Sequence, residues 1–196
     1  MPTQNVAVLI FDEVEVLDFC GPFEVFSVTD AYAAERPFNV YTVAEKTPIL
    51  ARNNLSVNPA FLLDDPNCPP PDLIVVPGGR GTRQAMHNER LLAWIQSNAE
   101  RAALTLSVCT GALMLARAGL LEGLAATTHH SAFDELRAVA PNTTILEDQR
   151  IVDNGTVIVS AGISAGIDMA LHVVARLHGI EKARQTAGYM EYDWRG

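Results

Sequence analysis

Short apolar runs and longer amphipathic segments alternate along the chain. The short runs predict strands, at residues 6–10, 38–43, 73–77, 104–108, 125–128, 144–147, 150–152 and 157–160. The longer segments have helical periodicity and predict helices, at residues 23–34, 88–101, 111–119, 131–139, 164–177 and 181–189. Residues 48–65 are rich in Asn, Pro and Leu and are interpreted as short antiparallel strands or a hairpin. Such alternation of strands and helices is typical of an α/β fold with a mainly parallel sheet.

Composition and charge limit the partners that the protein is expected to have. The chain has 196 residues and shows no repeat, linker or low-complexity tract, so we expect residues 1–196 to form one domain. It carries 14 Lys and Arg against 23 Asp and Glu, a net charge of -9. Phosphate contacts need a basic face, so this charge argues against binding to nucleic acid or to an anionic membrane. We therefore expect a small molecule as the partner.

Cysteine usage and the N-terminus indicate a cytoplasmic protein. Cys20, Cys68 and Cys109 are odd in number, far apart and without a CxxC pair, so a disulfide framework is not expected. The first residues carry no positive charge and do not form a secretion signal, and no apolar segment has the length of a membrane span. No cluster of metal-ligating residues occurs, and we expect neither a metal nor another cofactor.

The segment 104–117 carries the clearest chemical signal. A predicted buried strand is followed directly by Cys109, Thr110 and a helix that opens at Gly111, a turn that we call the elbow. A nucleophile on such a strand-to-helix turn is held out towards substrate. A thiol at a helix N-terminus is expected to have a lowered pKa, and the N–H groups after it, including that of Gly111, can receive developing negative charge. The alternative is a structural cysteine beside a core strand.

Two other loops follow apolar strands and are expected to meet the elbow, because ligands bind at the carboxyl ends of the strands in open parallel sheets. Asp18 lies in the first of these loops. It is either a helix N-cap or a carboxyl group with a raised pKa that shares a proton with Cys109 and acts as acid and base. Gly78 and Gly79 follow the predicted strand 73–77. They suit a tight turn, and they would also let backbone N–H groups form an oxyanion hole.

The residue types near the elbow limit the base that can assist the thiol. Many cysteine hydrolases have a histidine base near the thiol. Thr110 follows the cysteine here, and its hydroxyl can only form hydrogen bonds. His129 and His130 follow the predicted strand 125–128, which could lie beside the elbow strand, and we include His129 among the candidate substrate-binding residues. The alternative for this pair is one buried, hydrogen-bonded ring and one exposed ring.

Five motifs in order carry a resemblance to a known family. They are Asp18-Phe-Cys-Gly-Pro22, Val76-Pro-Gly-Gly79, Ser107-Val-Cys-Thr-Gly111, Ala126-Thr-Thr-His129 and Ala161-Gly-Ile-Ser-Ala-Gly-Ile-Asp168. With them the chain resembles the ThiJ/PfpI superfamily over nearly its whole length. The resemblance implies a flavodoxin-like three-layer sandwich, similar to class I glutamine amidotransferases, with the cysteine at a strained elbow. It also implies a homodimer.

Within this superfamily the chain looks most like the isocyanide hydratase branch. That branch has an aspartate in the first loop, as at Asp18, and Cys-Thr at the elbow, as at Cys109 and Thr110. The protease and glyoxalase-like branches have a glutamate in the first loop and a histidine after the cysteine. The resemblance therefore implies cofactor-free addition of water to an isocyanide, giving an N-substituted formamide. Cys109 would be the nucleophile, Asp18 the acid and base, and Thr110 would position a proton or water.

The resemblance also leaves a non-enzymatic alternative. Amino-terminal domains of some AraC-type transcription regulators share the Cys-Thr-Gly and Thr-Thr-His motifs. A small-molecule or redox sensor is therefore the second hypothesis. Another thiol hydrolase or lyase that acts on a small electrophile is the third. The sequence ends at Gly196 without a basic helix-turn-helix segment, and we expect a stand-alone enzyme on this basis.

Overall fold

Strands and helices alternate through residues 2–196, which the computed structural model describes. The strands are β1 (Gln4–Leu9), β2 (Phe38–Ala44), β3 (Ile49–Ala51), β4 (Leu55–Val57), β5 (Phe61–Leu62), β6 (Leu73–Val76), β7 (Leu104–Val108), β8 (Ala125–Ala126), β9 (Thr144–Ile145), β10 (Ile151–Asp153) and β11 (Val157–Ser160). The helices are α1 (Val16–Val28), α2 (Thr82–Ala85), α3 (Glu89–Ala99), α4 (Gly111–Arg117), α5 (Phe133–Val139), α6 (Ala165–His178) and α7 (Ile180–Tyr189).

Seven strands form one sheet, in the order β10-β11-β7-β6-β1-β2-β5. Every neighbouring pair is parallel except β10 and β11, which form an antiparallel hairpin at one edge. Helices α1, α6 and α7 pack against one another, and α4 packs against α2, α3 and α5 in a second layer. The predicted α/β class and flavodoxin-like sandwich are confirmed.

The central strands β6, β7 and β11 are buried at every residue. Helices cover both faces of a parallel sheet, and this is why these strands appear in the sequence as continuous apolar runs. From β1 the chain moves to β2 on one side, and it later returns to β6 on the other. This reversal of strand order opens a crevice at the carboxyl ends of β1 and β6, where α/β proteins of this type bind ligands.

The first helix differs from its prediction. It begins at Val16 and ends at Val28, so Asp18, Gly21 and Pro22 lie inside it rather than in a break before it. Proline in a helix removes one backbone hydrogen bond. Gly21 and Pro22 are buried and lie against α6, since a Cβ added at Gly21 would meet the side chain of Ile167 at 3.0 Å. This packing offsets the local cost of the proline.

The predicted hairpin at residues 48–65 is present, whereas the predicted strand at residues 125–128 lies elsewhere than expected. Strands β3 and β4 pair antiparallel within residues 48–65, as predicted. Strand β8, by contrast, pairs with β9 in a separate two-stranded sheet. The prediction that residues 125–128 extend beside the elbow strand is therefore wrong, because β11 occupies that position. Within residues 2–196 no helix is long and apolar enough to cross a membrane.

Candidate active site

Cys109 lies between β7 and α4 in a left-handed backbone conformation, with φ 57°. Few residues other than glycine adopt this conformation, and it costs energy that the surrounding structure must supply. The N–H of Cys109 donates to the carbonyl oxygens of Ser160 at 3.2 Å and Ala161 at 3.1 Å. Its own carbonyl accepts the hydroxyl of Thr128 at 2.8 Å. The strained residue is thus held by hydrogen bonds on both sides, and it is 5% exposed.

Two glycines allow the loops after β6 and β7 to approach each other closely. A Cβ at Gly111 would lie 2.1 Å from the carbonyl oxygen of Val76, and a Cβ at Gly78 would lie 2.5 Å from the backbone nitrogen of Thr110. Any side chain at either position would push the two loops apart. Glycine is required here by the close contact between backbones.

Asp18 reaches the elbow from the first turn of α1. Its side chain is fully buried, and Oδ2 accepts the N–H of Gly78 at 3.1 Å. Oδ1 is also buried, and the structure of residues 2–196 provides no hydrogen-bond partner of normal geometry for it. The N-cap of α1 is Glu15, so the interpretation of Asp18 as a helix cap is wrong. The carboxyl group interacts instead with the Cys109 thiol.

The pKa values of the two groups are strongly perturbed. Burial raises the pKa of Asp18 to about 7, although the neighbouring Cys109 thiol and the hydrogen bond from the Gly78 N–H lower it. Burial, and then the charge of Asp18, raise the pKa of Cys109 to about 12. The predicted rise for Asp18 is confirmed. The predicted lowering for the thiol is wrong, because burial beside a carboxylate outweighs the N–H groups of Thr110 and Ile163, which lower the thiol pKa.

Groups that interact this strongly titrate as a pair. The first proton leaves the Asp18–Cys109 pair near pH 7, and the second is held until about pH 12. Across the range between these values the pair carries one proton and one negative charge. That proton can reside on the carboxyl group or on the thiol, so the pair contains both a latent acid and a latent nucleophile.

Thr110 connects the elbow to the loop after β6. Its Oγ1 accepts the N–H of Gly79 at 2.9 Å and lies 3.0 Å from Oγ1 of Thr82. The N–H of Gly78 is likewise used by Asp18. Both N–H groups predicted to form an oxyanion hole are therefore engaged within the protein. In this structure the two glycines position the carboxyl and hydroxyl groups of the site.

Ile163 is a site residue that the sequence did not reveal. Its φ of 49° is left-handed, and its backbone N–H interacts with the sulfur of Cys109. The backbone supplies this contact, so the side-chain type carries no chemical signal. The available signal was the motif at residues 161–168, which served only for the family resemblance.

His129 lies near the elbow without bonding to Asp18 or Cys109. Its Nδ1 accepts the N–H of Ser131 at 3.2 Å, which leaves the proton of the neutral ring on Nε2. Burial lowers the pKa of His129. Its ring lies against that of His130 at a centroid distance of 4.2 Å. His129 is half-buried and hydrogen-bonded, and His130 is exposed. This arrangement is close to the alternative of one buried, hydrogen-bonded ring and one exposed ring.

The other cysteines and the acidic and histidine side chains of residues 2–196 do not form a second reactive site or a metal site. All three cysteines are free thiols. Burial raises the pKa of both Cys20 and Cys68. Residues 2–196 contain no group of three or more His, Cys, Asp or Glu side chains that could hold a metal ion. The elbow with Asp18 is therefore the candidate site of covalent chemistry.

Comparison with known proteins gives the family of this chain. The family model described as DJ-1/PfpI matches residues 4–176. The chain belongs to the DJ-1/PfpI family. It is 35% identical over 189 residues to isonitrile hydratase of Pseudomonas putida, across 96% of this chain and 78% of that protein. A crystal structure of a ThiJ/PfpI family protein from Pseudomonas syringae matches with a TM-score of 0.87 and 30% identity, covering 100% of this chain and 78% of that chain.

Transcription regulators are also among the relatives of this DJ-1/PfpI protein. The regulator CdhR of Pseudomonas aeruginosa is 30% identical over 186 residues, across 94% of this chain and 54% of that protein. The regulator GbdR is 25% identical over 191 residues, and this chain spans 51% of its length. Both are described as HTH-type transcriptional regulators. The expected absence of nucleic-acid binding therefore remains a prediction.

Proposed function

We propose that the protein is a cysteine-dependent hydro-lyase that adds water to isocyanides and releases N-substituted formamides. The observation that carries this proposal is the buried carboxyl group of Asp18 beside the buried Cys109 thiol. With pKa values of about 7 and about 12, this pair holds one proton above about pH 7. The similarity to an isonitrile hydratase of Pseudomonas putida supports it. Thr110 in the position after the cysteine also supports it, since a hydroxyl there offers a hydrogen bond but no base.

The first step uses the one proton and the one negative charge of the pair. The Cys109 sulfur attacks the terminal isocyanide carbon and forms a C–S bond, while the shared proton passes to the same carbon. The products are a thioimidate, R–N=CH–S–Cys109, and the carboxylate of Asp18. The N–H groups of Thr110 and Ile163 stabilise the sulfur as a thiolate before attack.

The second step consumes water and restores the pair. The Asp18 carboxylate accepts a proton from water as the water oxygen adds to the thioimidate carbon, and this proton then passes to the nitrogen. Collapse breaks the C–S bond, and the hydroxyl proton moves to Asp18 as R–NH–CHO leaves. Water and isocyanide are thus converted completely to the formamide, and the pair again holds one proton. Thr110, held between Gly79 and Thr82, positions the water.

The test is the appearance of formamide from simple alkyl and aryl isocyanides, measured by chromatography with loss of the isocyanide infrared band. Cys109→Ser is expected to show only the uncatalysed rate. The matched control is Cys20→Ser, which removes an exposed thiol outside the pair and is expected to keep full activity. Wild-type protein that is folded, has an alkylatable Cys109 and produces no formamide would exclude the hydratase.

A sensor is the second candidate function, favoured by the similarity to GbdR and CdhR. Such a domain would bind a small molecule, or become oxidised at Cys109, without releasing product. The same isocyanide assay separates the two candidates. A sensor would show ligand-dependent thermal stabilisation, or a sulfenic acid at Cys109 by mass spectrometry, with no formamide.

We also propose that residues 1–196 form one domain, and that it acts as a cytoplasmic homodimer. The free cysteines fit a reducing compartment. Leu17, Leu50 and Leu55 are 40%, 43% and 46% exposed. The N–H of Glu13 donates to the carbonyl of Leu50 at 2.7 Å, which joins strand β3 to the segment before α1. An exposed apolar surface of this kind favours an interface between two copies.

A further inference from the structure

A cavity of about 200 Å³ begins at the backbone that holds Cys109. Three of its lining residues contact that cysteine. Thr128 donates its hydroxyl to the Cys109 carbonyl at 2.8 Å, and the Ala161 carbonyl accepts the Cys109 N–H at 3.1 Å. The N–H of Ile163 interacts with the sulfur. Cys109 itself does not line the cavity, and Ile163 connects the two, because it both lines the cavity and makes this interaction with the sulfur.

The walls of the cavity are aromatic and apolar, with one acidic side chain. They include the phenyl ring of Phe133 and the imidazoles of His129 and His130, whose planes are inclined by 34°. Glu147 lines the cavity, is half exposed and pairs with Arg137. A cavity of about 150 Å³ with apolar walls is large enough to bind benzene. The larger volume here accommodates one six-membered ring with a small substituent.

We propose that this cavity binds the nitrogen substituent of the isocyanide, and that it selects a planar aromatic ring carrying a hydrogen-bond donor. This inference rests on the proposed hydratase function. A flat ring can make edge and face contacts with Phe133 and the imidazole rings, contacts that a saturated ring of similar size lacks. The donor would bind the carboxylate of Glu147. Phe133, His130 and Glu147 are then specificity-determining residues that do not take part in the chemical step.

Three isocyanides of similar length test this selection. Benzyl isocyanide and cyclohexylmethyl isocyanide differ in planarity, and 4-hydroxybenzyl isocyanide adds the donor. We expect kcat/KM to rise from the cyclohexylmethyl to the benzyl compound by a factor of roughly two to ten, the range of aromatic pair interactions. We expect a further rise of roughly tenfold for the hydroxybenzyl compound, the lower end of the range for a hydrogen bond to a charged group.

Variants assign each preference to a wall of the cavity. Phe133→Leu is expected to reduce the ratio between the benzyl and cyclohexylmethyl compounds towards one. His130→Ala removes an exposed ring and is expected to act in the same direction without unfolding the protein. Glu147→Gln is expected to remove only the advantage of the hydroxybenzyl compound. The control is Phe61→Leu, the same change at a half-buried phenylalanine on β5, which is expected to leave all three ratios unchanged.

The outcomes separate this inference from the function on which it rests. Turnover with equal kcat/KM for the three compounds, or with ratios that Phe133→Leu and His130→Ala do not alter, would overturn the selection while leaving the hydratase intact. No turnover of any of the three would overturn the hydratase, and the inference with it. The expected result is a kcat/KM that rises from the cyclohexylmethyl to the benzyl to the hydroxybenzyl compound, is levelled by the cavity variants and is retained in Phe61→Leu. This result supports both the hydratase function and the selection by the cavity.

Discussion

Replacing Asp18 with asparagine separates a proton-transfer role from a packing role. Asparagine has nearly the same shape, and its oxygen can still accept the Gly78 N–H that now donates to Oδ2 at 3.1 Å. Its amide can donate to the Cys109 sulfur. It cannot hold a negative charge, however, and it cannot exchange a proton. Asp18→Asn therefore removes the chemistry while the contacts persist.

The raised pKa of Asp18 determines how the Asp18→Asn substitution changes the free energy of unfolding at each pH. Below about pH 4 the carboxyl group is protonated in both the folded and the unfolded chain. Between the ordinary value of 3.8 and about 7 the unfolded chain releases the proton and the folded protein keeps it, so wild-type stability falls as pH rises. Above pH 7 the full cost of the buried carboxylate applies. The difference between these pKa values corresponds to at most about 4 kcal/mol.

We therefore expect Asp18→Asn to be more stable than wild type at pH 8, by up to about 4 kcal/mol, and to match it near pH 4. Denaturant unfolding followed by fluorescence of Trp94 and Trp194 at pH 4, 6 and 8 measures the difference. Despite this gain, isocyanide hydration is expected to fall by about a hundredfold or more. The control is Asp12→Asn. Partial burial raises the pKa of Asp12, but Lys46 and a backbone N–H lower it below its usual value, so this change should slightly destabilise the protein at pH 8.

Two results would refute this reasoning. An Asp18→Asn protein that is less stable than wild type by the same amount at every pH would show that the carboxylate is a structural acceptor for Gly78. Near-normal formamide production by the variant would show that Asp18 neither donates nor accepts the proton. The second result would refute the proposed acid and base role of Asp18 while leaving the hydratase activity itself in place.

Three further predictions concern the reactivity of Cys109, the hydrogen bond of Thr110 and the oligomeric state. Alkylation of Cys109 by iodoacetamide should still accelerate above pH 9 in wild type and level off at lower pH in Asp18→Asn, because a neighbouring charge has gone; identical pH profiles would mean that the two groups do not interact. Thr110→Val leaves the Gly79 N–H without its acceptor and should cost about 1–3 kcal/mol of unfolding free energy, which Thr110→Ser should restore; equal unfolding curves would contradict this. Light scattering should give the mass of two chains, and Leu17→Asp should give one; a monomeric wild type at micromolar concentration would exclude the dimer.

The elements that could be predicted from sequence are those whose environment is uniform along their length. Strands β6 and β7 are buried on both faces at every residue, so their apolar runs were sufficient to identify them. The start of α1 was not predictable, because Gly21 and Pro22 are local signals for a break. Their contacts with α6 lie more than a hundred residues away in the sequence, and these contacts decide the conformation.

The α/β class, the strand-to-helix turn at Cys109 and the family resemblance were all predictable from local patterns, because periodicity and short motifs are local properties. The pKa values of Asp18 and Cys109, in contrast, depend on the folded environment. A helix N-terminus alone favours a thiolate, whereas enclosure of Cys109 beside the carboxyl group of Asp18 raises the pKa of both groups. Only the tertiary structure brought the backbone of Ile163 to the sulfur. Burial and charge interactions depend on everything that surrounds a group in space, and neighbours in sequence supply only part of those surroundings.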